Sequence, residues 1–267
     1  MSATDGTTAR LLADLADEQD ALEEIVAGLD AAGWSTPTPS PGWSVFDQIA
    51  HLTFFDEAAA LAIEDPEAFG AHLEDLAGAM TEGRLDEATI GTLRSLDPAA
   101  LMARWRGARR DLLVAARSLD PDARIPWYGP SMGLRSFLTA RLMETWAHGR
   151  DVADALEVSH PATDRLRHVV RLGLLTRGWS YANRGLPVPD AEVRLELVAP
   201  SGASWRLGPD EAEEWVRGSA EEFCLVVTQR RHVDDTGLET TPLARDWLLR
   251  AQCFAGPPTD GPPPGGR

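Results

Sequence analysis

The chain has 267 residues, 43% of them apolar and 25% charged, and a formal charge of -17. That length supports one large domain or two ordinary ones with a core of normal size, while so negative a chain is repelled by phosphate backbones and anionic membrane surfaces. Every side chain counted as Lys or Arg is arginine, which removes a Schiff-base lysine and a phosphate-loop lysine from the available chemistry.

Leu11, Leu15, Leu22, Ile25, Val26 and Leu29 recur at three- and four-residue steps and predict a first helix over 8–32, stopped by Gly33. Prolines and glycines make 33–43 a loop, and this loop carries Trp34 and Trp43. Ser44 is a good cap for a second helix over 45–63, with Asp47 at its third position as a capping-box variant. His51 lies on the same face, one turn further on. Weaker patterns over 64–95 suit one or two short helices. Asp97-Pro98 opens a helix to 119, with Leu101, Trp105, Ala108, Leu112 and Ala115 as its buried stripe.

The aromatic segment 120–131 reads as irregular and leads into a helix over 134–156. Thr163 caps a further helix over 164–183. The period then changes: 193–199 alternates as a strand, 204–208 is a second strand and 214–217 a third. Ser219-Ala-Glu-Glu222 is a capping box for a helix to 231, and Thr241-Pro242 opens a last helix to 254. The Pro- and Gly-rich end reads as disordered. The expected division is a helical domain over 1–187, a small α+β domain over 188–256 and a tail over 257–267. No run approaches about 18 apolar residues, so no transmembrane helix is expected. The first residues lack signal-peptide features, which suggests a cytoplasmic protein. Cys224 and Cys253 read as buried, inert thiols.

The chemical interest lies in the helices over 45–63 and 134–156. Glu144 and His148 are four residues apart, one above the other on a helix face, and can aim at one point. His51 would add a second imidazole from a second helix. Two nitrogens and one carboxylate leave a coordination position open, the pattern of a catalytic metal, and the set suits zinc before other divalent ions. Asp47 and Asp151 are candidates to orient the imidazoles.

The run Pro41-Gly-Trp43-Ser-Val-Phe-Asp47-Gln-Ile-Ala-His51-Leu, followed by Glu144-Thr-Trp-Ala-His148-Gly-Arg-Asp151, resembles the DinB-like metalloprotein superfamily. More closely it resembles the mycothiol-dependent maleylpyruvate isomerases of actinobacteria. The resemblance implies a mainly α protein, with a DinB-like four-helix bundle followed by a small α+β domain of sterol-carrier-protein-like shape. It implies His51, Glu144 and His148 as ligands of zinc, and mycothiol as cosubstrate, acting through a metal-bound thiolate. It also implies an arginine late in the chain that holds a substrate carboxylate. Arg230 or Arg231 is the nearest match, with Arg217 as a further candidate and Trp43 as a substrate contact. The expected partners are a small thiol and a small electrophile, without nucleic acid or membrane, in a monomer or homodimer. Isomerase and thiol transferase remain equally open. The competing reading is a non-catalytic protein that binds a metal and a small ligand.

Overall fold

A computed structural model describes residues 3–266. Its contacts divide the chain into two units, with the boundary between His160 and Pro161. The first unit is built on four long helices: α1 (Ala3–Val26), α3 (Val45–Glu64), α5 (Pro98–Arg117) and α6 (Leu134–Leu156). Each packs on two others, α3 on α5 and α6, α1 on α5 and α6, so the four close into a bundle. Leu22, Val26, Ile49, Leu52, Leu101, Trp105 and Val152 share its core. Together they remove most of their apolar surface from water, the main favourable contribution to folding.

The remaining elements of this unit are short. The predicted first helix breaks after Val26, because Asp30 caps a separate turn, α2 (Ala31–Trp34), by accepting from the Gly33 N–H at 2.8 Å. Then come α4 (Pro66–Thr81), a π turn (Glu87–Gly91) and a 3-10 turn (Leu93–Ser95). The segment expected to be irregular is instead an antiparallel hairpin, β1 (Arg124–Trp127) and β2 (Gly129–Gly133), with Tyr128 at its tip.

The second unit opens with α7 (Leu166–Leu175) and α8 (Arg177–Ala182). Its sheet consists of β3 (Val193–Val198), β4 (Ser204–Leu207), β5 (Glu214–Ser219) and β6 (Glu239–Thr240), in the order β4-β3-β5-β6. β3 and β5 run parallel, and the other neighbours antiparallel. Two further helices are α9 (Ala220–Val227) and α10 (Pro242–Leu248). The contacts divide the chain at 160/161, where the change of period suggests 187/188. The change of period near 190 marks the first strand, but α7 packs on α9. A Cβ at Gly173 would stand 2.9 Å from Val227 and 3.0 Å from Phe223. The predicted helix over 164–183 is interrupted at Thr176, whose hydroxyl donates to the carbonyls of Leu172 and Gly173. Residues in the tail have fixed partners: Thr259 bonds Gln229 and Gln252, and the Gly265 N–H donates to Asp235. No described helix is long and apolar enough to cross a membrane.

Candidate metal centre

The start of α3 is set by a reciprocal cap. The Ser44 N–H and hydroxyl donate to the Asp47 carboxylate at 2.8 and 2.7 Å, and the Asp47 N–H approaches Ser44 Oγ at 3.4 Å. This fixes where the helix begins, and hence that His51, one turn after Asp47, faces α6. Glu144 and His148 come from the middle of α6, one turn apart. Glu144 Oε2 is 3.1 Å from His148 Nε2 and 3.6 Å from His51 Nε2. One ligand atom from each of the three lies within 4.8 Å of the others. Ligands at about 2.0–2.1 Å from a tetrahedral zinc stand about 3.3 Å apart, so the three donors converge at roughly the required separation. The side chains of His51 and Glu144 are 18% and 23% exposed, so the centre opens toward solvent.

A chain of directional hydrogen bonds assigns the proton of a neutral His148 to Nδ1. The Thr38 hydroxyl donates to the Trp43 carbonyl, and the Ser40 hydroxyl donates to Asp151 at 3.3 Å. With those hydrogens committed, each oxygen accepts from the Gln48 amide, at 2.8 and 3.0 Å. Gln48 Oε1 is thereby turned to His148 Nδ1, 2.5 Å away, and accepts a hydrogen bond from Nδ1–H. The lone pair of His148 then lies on Nε2 and points at Glu144.

The charges agree with ligation. Burial, then the nearby His148, lowers the pKa of His51 to about 4, so it is neutral at pH 7. Burial pushes Glu144 up, but the two adjoining histidines more than offset this and hold it well below the usual carboxylate range. Protonated, His148 Nε2 donates to the Glu144 carboxylate across their 3.1 Å contact; deprotonated, it turns a lone pair toward that carboxylate. A cation at the point of convergence would be coordinated by both, so the residues fit a divalent metal.

The other predicted residues fall in several places. Asp47 caps α3 and receives the Arg94 guanidinium at 2.7 Å. Asp151 Oδ2 is 3.9 Å from His148 Nδ1, and holds Ser40. Trp43 stands beside the triad, 5.1 Å from the His51 ring and stacked at 6.1 Å on His148. Arg217, Arg230 and Arg231 belong to the second unit. Arg217 is bonded to Glu196 at 2.7 Å and lies over the Trp215 ring at 4.1 Å. Arg230 and Arg231 follow the left-handed Gln229 (φ 59°) and donate to the carbonyls of Thr228 and Arg230. Gln48, the direct partner of His148, was not among the predicted residues. Its signal was faint: an amide on the first turn of α3, next to a loop of hydroxyl residues.

Comparison with known proteins finds relatives of both the sequence and the fold. The family described as the mycothiol maleylpyruvate isomerase N-terminal domain matches residues 15–153. Uncharacterized proteins from two strains of Mycobacterium tuberculosis, CDC 1551 / Oshkosh and ATCC 25618 / H37Rv, are each 43% identical over 253 residues. Those alignments cover 94% of this chain and 97% of each relative. The crystal structure of the mycothiol-dependent maleylpyruvate isomerase is similar in fold, with a TM-score of 0.55 at 18% identity over 90% of this chain and 96% of that one. A histidine-to-alanine mutant of that isomerase aligns with a TM-score of 0.56 at 16% identity and the same coverage.

Proposed function

Since the chain belongs to the mycothiol maleylpyruvate isomerase N-terminal domain family, we propose that it is a metal-dependent enzyme that uses mycothiol, as an isomerase or S-transferase, on a small electrophile bearing a carboxylate. The observation that carries this reading is the convergence of His51, Glu144 and a Gln48-oriented His148 on one partly exposed point. These three residues would hold the ion, zinc by the nature of the donor set. A bound divalent ion supplies one thing here: it lowers the pKa of a coordinated thiol from about 8.5, so that thiolate is present at neutral pH.

The chain's own residues do the rest. Gln48 holds the proton of a neutral His148 on Nδ1, which leaves Nε2 as the ligand atom. Glu144 supplies a negative charge that favours a cation at the centre. Trp43 and Phe55 flank His51 and shield one side from water. Arg230 or Arg231 would receive the substrate carboxylate, a task for which a guanidinium offers two parallel charged hydrogen bonds. Arg217 is the weaker candidate, because Glu196 already occupies it.

Elemental analysis of the purified protein, beside His51→Ala and His148→Ala, tests the centre. We expect about one zinc per chain in the wild type and its loss in both variants. Incubation with mycothiol and maleylpyruvate, or with a panel of electrophiles, then tests the activity. A protein without stoichiometric metal, or variants that retain it, would remove the site. A loaded protein that neither binds nor consumes mycothiol would leave a non-catalytic binding protein.

A further inference from the structure

Aromatic rings lead away from the metal centre to a second polar pair. The Phe55 ring lies 4.6 Å from His51 and 5.3 Å from Tyr128, so both touch the same side chain. Trp127 is edge-on to Phe55 at 6.4 Å and stacked on Phe69 at 5.7 Å. Among these rings Tyr128 Oη is 2.6 Å from His72 Nε2. Trp43, Phe55, Trp127, Tyr128 and His72 are all partly exposed. Three separate elements meet here, α3, α4 and the tip of the β1–β2 hairpin. The Arg141 charge acts on both His51 and Tyr128, which places the two in one electrostatic neighbourhood.

A hydroxyl–imidazole pair is a costly way to fasten a hairpin, because aromatic packing alone would do so without desolvating two polar groups. Burial in fact pushes the phenol up and the imidazole down, so both are neutral at pH 7. A neutral His72 that presents Nε2–H to the phenol oxygen leaves the phenol's own hydrogen for a third group.

We propose that Tyr128, oriented by His72, donates a hydrogen bond to the carbonyl oxygen of a planar, conjugated substrate lying along the Trp43–Phe55–Trp127 wall. This rests on the thiol reading above, whose isomerase branch already takes an α,β-unsaturated carbonyl compound, and adds the group that holds that carbonyl oxygen. The thiolate sulfur forms a C–S bond at the β-carbon. The π electrons of the C=C bond shift toward the carbonyl, and negative charge develops on the oxygen that Tyr128 contacts. Rotation about the new single bond, return of the electrons and cleavage of the C–S bond give the other geometric isomer and restore the thiolate. In the transfer branch the α-carbon instead takes a proton from water, and the C–S bond remains.

The test compares two electrophiles with mycothiol in wild type and Tyr128→Phe. Maleylpyruvate develops charge on a carbonyl oxygen; iodomethane, which loses iodide in a direct displacement, does not. Removing a donor aimed at a developing oxyanion lowers kcat by about 100-fold or more. We expect that loss with maleylpyruvate, an unchanged rate with iodomethane and unchanged zinc content. His72→Gln, which can still donate, should retain most of the rate that His72→Leu loses. A second readout needs neither metal nor thiol: 4-(dimethylamino)cinnamaldehyde absorbs further to the red when its carbonyl accepts a hydrogen bond. Metal-free wild type should produce that shift and metal-free Tyr128→Phe should not. Equal losses with both electrophiles, an undiminished maleylpyruvate rate, or the same spectrum in both proteins would overturn the proposal. A wild type that shifts the dye but consumes no thiol would sink the thiol reading while leaving the carbonyl subsite in place.

Discussion

Two polar clusters join α3 to α6, and they differ in how their charges are partnered. Asp56 and Arg141 are 0% and 4% exposed in their side chains, and Arg141 donates to Asp56 Oδ1 through Nε and Nη2 at 3.0 and 2.8 Å. Gln19 adds a longer contact at 3.4 Å. Positive and negative charge cancel between Asp56 and Arg141, and the guanidinium donors meet the carboxylate. One turn along α6, His51, Glu144 and His148 combine a carboxylate with imidazoles of which His51 is held neutral. Their ligand atoms converge on one point. A buried cluster that closes on itself ties helices together, whereas one whose ligand atoms converge on a single point fits a cation. The type of partner, more than burial, separates a strut from a ligand site.

The largest effect on this contrast is expected from breaking the strut. Burial drives the Asp56 carboxyl upward even against the charge and hydrogen bonds of Arg141, the behaviour of a pair whose desolvation is not fully offset. Arg141→Met leaves that carboxylate alone in the core and should cost about 3–5 kcal/mol by denaturant unfolding. The double variant Arg141→Met with Asp56→Leu should recover most of this loss, because an apolar pair of similar volume needs no desolvation. If the double variant is no more stable than the single one, the pair contributes through its geometry, and the distinction between the two clusters fails.

The parts of the molecule that repeat were legible in the sequence; the parts that depend on one bond were not. Apolar periodicity located α3, α5 and α6, and Ser44 with Asp47 marked the start of α3 through a cap that the structure contains. Glu144 and His148 followed from helical spacing, and the structure brings His51 to them. The hairpin was missed because Pro126, Gly129 and Pro130 interrupt a strand pattern only a few residues long. The break at Thr176 turns on a hydroxyl that bonds back to its own helix, a local competition that periodicity does not register. Gln48 was missed for a related reason. Its role arises from the loop hydroxyls of Thr38 and Ser40, which spacing along one helix cannot reveal.

Gln48 also supplies a finer test of the open cluster. Gln48→Leu preserves the size of the side chain but removes the acceptor for His148 Nδ1–H. Loss of such a partner typically weakens metal binding by about 10–100-fold. Competition for zinc with a chelator of known affinity should show that loss while the unfolding midpoint of the metal-free protein changes far less. Ser40→Ala removes only one of the two groups that orient the amide, so its effect should be smaller and in the same direction. Zinc affinity unchanged in Gln48→Leu would mean that His148 holds its tautomer without help, and the directional chain from Asp151 would have no bearing on the centre.

The smallest effect concerns an ion pair that belongs to neither class. Arg94 is 40% exposed in its side chain, so its bridge to Asp47 is largely screened by water. The value of Asp47 lies more in the cap, and Ser44→Ala should cost about 1 kcal/mol. Burial pushes the Asp47 carboxyl up, but the Ser44 N–H and the Arg94 guanidinium prevail, and it lies below its ordinary 3.8. A carboxyl depressed in the folded state contributes stability that is present above its unfolded pKa and is lost as pH falls through the folded one. The stability gap between wild type and Asp47→Asn should therefore be constant near neutrality and shrink as the pH drops below about 3.8. Added salt should narrow that gap only slightly, since the bonds from Ser44 are short-ranged and only the Arg94 contribution is screened. A gap that collapses in salt at pH 7 would make Arg94 the dominant partner, and the start of α3, with His51 one turn beyond it, would then depend on a surface charge rather than on its cap.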